Sequence, residues 1–258
     1  MELNLKDKVV LISGSAHGLG KSIARSFLAE GAMVVITDID NSRIEKTVWE
    51  FSKEFDKTKF DCFTGDLTKS DDIKKCVESV IGQFGKIDIC VANLGSGRGT
   101  QGWDISDEEW ERMLSLNFDG ARRLTNSVVP RMIENRGGSI IYISSIAGVE
   151  VIGAPVQYSV AKASLIAYAK NLSRSLGKHK IRVNTVCPGN IFFKDGTWDF
   201  KIQENKQGVL EMLEKNVPLN RFATPEEIAD LVMFLSSERA SFVTGSCIIA
   251  DGGQTISI

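Results

Sequence analysis

Histidine is almost missing from this chain. The 258 residues hold two, His17 and His179, and the five cysteines (Cys62, Cys76, Cys90, Cys187, Cys247) include no CxxC pair. Clustered His, Cys and carboxylate ligands are what a transition-metal site needs, so no metal is expected. Charge of one sign is missing as well. Thirty-one Lys and Arg against 33 Asp and Glu give a formal net charge of −2 with no basic block. That argues against a nucleic-acid or anionic-membrane partner. No apolar run approaches the ~20 residues of a membrane-spanning helix. The first residues, through Lys6, Asp7 and Lys8, are too charged for a secretory signal, so a cytoplasmic protein with reduced thiols is expected. Asn171-Leu172-Ser173 fits the glycosylation pattern but falls in an expected helix.

What is present is an alternation of short apolar runs and amphipathic stretches. Val9–Ile12 reads as a buried parallel strand, residues 18–31 as a helix closed by Gly31, and Val34–Thr37 as a second strand ending at Asp38. Further strands are expected near 59–63, 87–91, 139–143, 181–186 and 246–250. Helices are expected near 44–51, 70–83, 106–132 and 156–176, with a last one opened by Thr224-Pro225. Ser106 and Glu109 have the spacing of a capping box. Residues 189–217 carry only one short helical pattern. The alternation specifies an α/β fold, a Rossmann-type doubly wound parallel sheet of about seven strands with helices on both faces. No linker interrupts it, so residues 1–258 read as one domain.

Three groups of residues carry chemistry. Gly14, Gly18 and Gly20 lie between the first strand and first helix, where a tight turn and a helix N-terminus suit a pyrophosphate. Asp38, at the end of the next strand, is placed to grip ribose hydroxyls and to repel a 2′-phosphate; no Lys or Arg occupies positions 16, 17, 39 or 40. NAD(H) is therefore expected over NADP(H). Tyr158 and Lys162, four positions apart, share one helix face. An ammonium ~4 Å from the phenol favours the phenolate by about 4 kcal/mol at an effective dielectric of ~20, moving a pKa near 10 towards neutrality. Such a tyrosine suits proton transfer to an alcohol or carbonyl oxygen.

With these residues in place the chain resembles the short-chain dehydrogenases/reductases over nearly its whole length. Ser13 to Gly20 resembles the family's TGxxxGxG with serine for threonine, and Ala92-Asn93-Leu94-Gly95 resembles NNAG with two departures. Asp66-Leu67, Asn117, Ser145, Tyr158 and Lys162, Pro188-Gly189, Thr244-Gly245 and Asp251-Gly252-Gly253 fall in the family's order. The resemblance implies catalysis by Asn117, Ser145, Tyr158 and Lys162. Tyr158 would be the general acid–base, Ser145 would hold the substrate oxygen, and Asn117 would hold a water leading from Lys162. Cofactor contacts are implied for Gly14, His17, Gly18, Leu19, Gly20, Asp38, Asp66, Leu67, Asn93, Gly95, Tyr158, Lys162, Pro188, Gly189 and Ile191. Ser144 competes with Ser145, but points the other way on an extended backbone. The family's threonine after Pro188-Gly189 is Phe193 here, which has no hydroxyl for the nicotinamide amide.

Residues 190–215, with Phe192, Phe193, Trp198 and Phe200, fall where the family carries a substrate lid. Arg98, Val151 and Trp198 join Ser145 as expected substrate contacts, with Glu150 and Ile152 as further walls. The implied activity is hydride transfer between NAD(H) and a secondary alcohol or ketone. The alternatives are an NADPH-dependent carbonyl or 3-oxoacyl reductase and an inactive dinucleotide-binding sensor or scaffold. A homotetramer or dimer is implied, built on residues 106–133, 156–176 and the apolar C-terminus.

Overall fold

The computed structural model describes residues 2–256. Ile258, part of the apolar C-terminus expected at an interface, lies outside them, as do Met1 and Ser257.

Seven strands form one parallel sheet: β1 (Val9–Ile12), β2 (Met33–Asp38), β3 (Phe60–Thr64), β4 (Ile89–Ala92), β5 (Gly138–Ile143), β6 (Ile181–Pro188) and β7 (Cys247–Ala250). Their spatial order is β3-β2-β1-β4-β5-β6-β7, so the order reverses between β1 and β4. Ligand crevices of open α/β sheets lie at the carboxyl ends of the strands at such a reversal.

Alternation along each strand divides the core in two. Val10, Ile12, Val34, Ile36, Val91 and Ile141 face one side, with α1 (Gly18–Ala29), α2 (Asn41–Phe51) and α8 (Pro225–Ser236) packed on them. Val9, Leu11, Val35, Cys90, Ile140 and Tyr142 face the other, under α3 (Ser70–Phe84), α5 (Gly120–Glu134) and α6 (Val156–Leu176). Both strand faces are apolar because both are covered, which is why the strands read as continuous apolar runs.

Four departures from the expected elements have local causes. β3 begins one residue late because Asp56 caps a short 3₁₀ turn over Lys57–Lys59. β4 covers Ile89–Ala92 and not 87–91, since the Asp88 carboxylate accepts from Val9 N and turns the chain into the strand. The helix expected over 106–132 is three pieces: α4 (Asp107–Leu114), a π turn (Ser115–Asp119) and α5. Its capping box is half made. Ser106 Oγ accepts Glu109 N at 3.3 Å, but the Glu109 carboxylate turns to Arg112 at 2.6 and 2.8 Å. Finally, the short helix expected in 189–217 is the 20-residue α7 (Thr197–Asn216), broken at Asn205 (φ −152°, ψ 81°). The Asn205 amide oxygen accepts Gly208 N at 2.9 Å, so the break is in effect the cap of a second helical segment. Two of its residues, Val209 and Leu213, are buried, and so sparse an apolar stripe gives little signal in sequence.

Among the described residues no helix is long and apolar enough to cross a membrane, and no group of three or more His, Cys, Asp or Glu could hold a metal ion.

Candidate active site

The crevice opens where β1 and β4 part. The Asn93 amide nitrogen donates to the carbonyls of Ser13 and Gly14, both at 3.0 Å, and Ser13 Oγ accepts from the backbone N–H groups of Asn93 and Leu94, both at 3.0 Å. The serine thus ties the glycine-rich turn to the end of β4. Gly18 has φ +53°, and a Cβ there would stand 2.6 Å from the Phe193 ring, so backbone conformation and space both require glycine. A Cβ on Gly20 would run into the Gly14 carbonyl oxygen. The N-cap of α1, His17, makes no side-chain cap bond, and the first turn holds no acidic residue. The turn therefore presents open N–H groups and the positive end of a helix dipole.

A cavity of about 580 Å³ runs over this turn. Its wall includes Gly14, His17, Gly18, Leu19, Gly20, Asp38, Asn93, Gly95, Ser145, Tyr158, Lys162, Pro188, Gly189 and Ile191. A glycine cradle, an uncapped helix end and a strand-end carboxylate fit the pyrophosphate and ribose of a dinucleotide. Asp66 and Leu67 are absent from this wall. The Asp66 carboxylate is folded onto Thr68, accepting its N–H at 2.9 Å and hydroxyl at 2.7 Å, and Leu67 is buried in the α3–α5 core. Arg43 is a wall residue that the sequence reading passed over. It lies one turn into α2 and its guanidinium is 3.4 Å from the Asp40 carboxylate, so only helix geometry returns it to the end of β2. Burial and the nearby Arg43 hold the His17 pKa below its ordinary value.

A second cavity, about 610 Å³, lies under α7 and shares Arg98, Ser145, Tyr158, Ile191, Phe193 and Thr197 with the first. Phe193 is the partition: its ring meets Gly18 below and the edge of His17 at 5.5 Å. Trp198 and Ile152 line this second cavity; Val151 does not, being fully exposed, and Glu150 binds Ile256 N. Val151 lies where the chain leaves the short turn after β5, and its side chain points to solvent. Asn190 and Gln254, paired at 2.9 Å, line the cavity and were not singled out in the sequence, because Gln254 comes from the far end of the chain.

Between the two cavities stand the hydroxyl groups. Ser145 lies two residues beyond β5 and caps the 3₁₀ turn Ile146–Gly148, and its hydroxyl acts to lower the pKa of the Tyr158 phenol. Ser144 Oγ instead donates to the Lys162 carbonyl at 2.7 Å. Lys162 is buried, with Nζ donating to the Ile143 carbonyl at 2.9 Å and standing 5.7 Å from the centroid of the Tyr158 ring. The expected acidification of the phenol by its neighbour is not the balance found here. Burial raises the Tyr158 pKa despite the Ser145 hydroxyl, and burial also lowers Lys162 to about 8. Desolvation is the largest influence on the phenol, and the ammonium does not offset it. Asn117, in the π turn, is wholly buried and does not border either cavity. Its side chain holds Ser96, accepting its N–H at 2.9 Å and donating to its carbonyl at 3.1 Å, so the amide braces the loop after β4. Gly95 lies between Asn117 and Lys162: a Cβ there would sit 2.6 Å from Asn117 Oδ1 and 2.9 Å from Lys162 Nζ.

The family model described as enoyl-(acyl carrier protein) reductase matches residues 14–255. The 3-oxoacyl-(acyl-carrier-protein) reductase FabG of Thermotoga maritima is 35% identical over 98% of this chain and 100% of its own.

The chain belongs to the short-chain dehydrogenase/reductase family.

An NAD-dependent glycerol dehydrogenase of Listeria innocua is 30% identical over 99% of this chain and 96% of its own. The L-sorbose reductase of Gluconobacter frateurii, solved with NADPH and L-sorbose, superposes with a TM-score of 0.94 at 32% identity, covering both chains completely. This short-chain dehydrogenase/reductase is thus an oxidoreductase with a Rossmann-type parallel sheet, and members of its family bind a nicotinamide dinucleotide.

Proposed function

We propose that this enzyme moves a hydride between NAD(H) and a secondary alcohol or ketone, with Tyr158 as the general acid–base. The observation that carries the reading is the position of the Ser145 and Tyr158 hydroxyls, which border both the glycine-lined groove and the cavity under α7. A nicotinamide bound in the groove supplies the hydride donor or acceptor. Tyr158 takes the hydroxyl proton as the carbinol carbon is oxidised and returns it to the oxygen in reduction. Ser145 donates to that oxygen and steadies the charge it develops. Lys162, still mostly cationic at neutral pH with a pKa of about 8, would hold the ribose hydroxyls of the bound coenzyme. Tyr158→Phe is expected to lower kcat ~10²–10⁴-fold, the usual worth of a positioned acid–base. Unchanged turnover overturns the assignment, and undetectable turnover in the wild type favours an inactive sensor or scaffold.

NAD(H) is favoured because a 2′-phosphate beside Asp38 meets a like charge, costing about 1–4 kcal/mol at a few ångströms. A second reading, NADP(H), is favoured by Arg43 in the groove wall. The ratio of kcat/KM for the two coenzymes decides: a preference for NAD(H) of about tenfold or more is expected, and equal values overturn it. Arg43→Ala lowers NADP(H) use selectively under the second reading only. The proposal also treats residues 1–258 as one domain and the enzyme as a cytoplasmic homotetramer or dimer.

A further inference from the structure

We propose that the substrate carries an anionic group, a carboxylate or a phosphate, besides its reacting hydroxyl or carbonyl, and that Arg98 and Lys201 bind that group. The proposal rests on the oxidoreductase reading above and narrows its substrate.

The cavity under α7 is lined by two cations, Arg98 and Lys201, and by no Asp or Glu. That is unexpected in a chain with a formal net charge of −2. Among the described residues neither cation takes part in an ion pair within 4.0 Å. Both rest on aromatic rings of the first turns of α7: the Arg98 guanidinium carbon is 4.6 Å from the Phe200 centroid and Lys201 Nζ is 4.5 Å from that of Trp198. A ring face orients a cation without neutralising it, leaving the charge available to a ligand. Two acidic side chains of the neighbouring segments are engaged elsewhere. Asp199 Oδ2 accepts Asp195 N at 2.8 Å, and Glu109 is held by Arg112.

The loop bearing Arg98 is fixed relative to the acid–base. Arg98 N donates to Ser96 Oγ at 3.2 Å, its carbonyl accepts from Arg112 at 3.0 Å, and a Cβ on the preceding Gly97 would touch the Tyr158 ring at 3.5 Å. An anion held at Arg98 therefore lies close to the reacting oxygen. The α7 helix begins in the same wall at Thr197, and Asp199 in its first turn offsets the positive end of the helix, so the two side-chain cations carry the field. The remaining polar wall, Gln101, Asn190, Asn216 and Gln254, is neutral and suits hydroxyl groups. Hydroxy acids, keto acids and polyol phosphates combine these features.

The test uses substrates that share a reacting hydroxyl and differ in charge: glycerol with glycerate and glycerol 3-phosphate, and sorbitol with gluconate and sorbitol 6-phosphate. At least one anionic member is expected to exceed its neutral partner in kcat/KM by about thirtyfold, within the range of a charge-assisted hydrogen bond. Whether the carboxylates or the phosphates lead identifies the group. In R98Q/K201Q the ratio within that set falls towards one, with an unchanged thermal midpoint. A neutral member equal to or better than its charged partners in every set, or a ratio that survives the double substitution, overturns the proposal. If no set is turned over, the enzyme–coenzyme complex is titrated with inorganic phosphate and followed by the fluorescence of the reduced nicotinamide. Binding that R98Q/K201Q abolishes supports the proposal; no binding, or binding that persists, overturns it. Tyr158→Phe should lose turnover and retain phosphate binding, so failure of the acid–base reading is seen separately.

Discussion

A buried lysine without a carboxylate partner is held here by one carbonyl. Lys162 donates to Ile143 O, and burial brings its pKa from 10.5 to about 8. Between those values the unfolded chain binds the extra proton, so this residue's contribution makes stability rise with pH through that window; below about 8 the full cost is present. The difference is worth about 3 kcal/mol at most. Urea unfolding of wild type and Lys162→Met, without coenzyme, checks it. The stability of the variant relative to wild type should be greatest near pH 7 and fall as pH rises to 10.5; a constant difference refutes it. Gly95 gives the second test at this scale. Alanine there must displace the Asn117 amide or the Lys162 ammonium, so Gly95→Ala should lower kcat at least tenfold and cost about 1–3 kcal/mol, the overpacking range. Residues of this kind were legible because their chemistry is short-range: a glycine turn, a strand-end carboxylate, a YxxxK pair. The side-chain directions of Asp66, folded onto Thr68, and of Val151, open to solvent, were not legible, because the local turn sets each.

The strands were readable to within a residue or two, and the helix with the sparsest apolar pattern was not. β1 and β5 come within a residue of expectation because every side chain in them is buried or nearly so. α7 has two buried residues, so neither its length nor its break at Asn205 could be read from periodicity. The π turn around Asn117 was equally hidden, since its flanks keep an ordinary helical pattern. The break in α7 has a functional consequence. Trp198, Lys201 and Phe200 precede Asn205, and the anchors Val209 and Leu213 follow it, so the cap sets the angle at which the cavity roof meets its base. Asn205→Ala removes that cap, with a stability cost of about 1 kcal/mol. It should raise the substrate KM several-fold while kcat changes less than twofold. Steady-state kinetics decides between this and a roof that forms independently of the cap, for which KM would not move.

The whole molecule leaves apolar surface where a second copy would cover it. On α6, Val156 and Val160 are 42% and 43% exposed and lie four residues apart on the face opposite Tyr158 and Lys162. Elsewhere Phe242 is fully exposed, with Phe234 of α8 and Ile249 of β7 also partly open. A contact over α6 would brace the outer side of the helix whose inner side carries the acid–base pair. Light scattering should therefore return two or four times the chain mass of 28.3 kDa. Val160→Glu places a charge in the proposed contact, where an unpaired buried carboxylate is costly. It should lower the order of the assembly and, because the brace is lost, lower kcat as well, although position 160 faces away from the substrate. A wild-type monomer would remove the contact altogether. An intact assembly of Val160→Glu at full activity would move the interface away from α6.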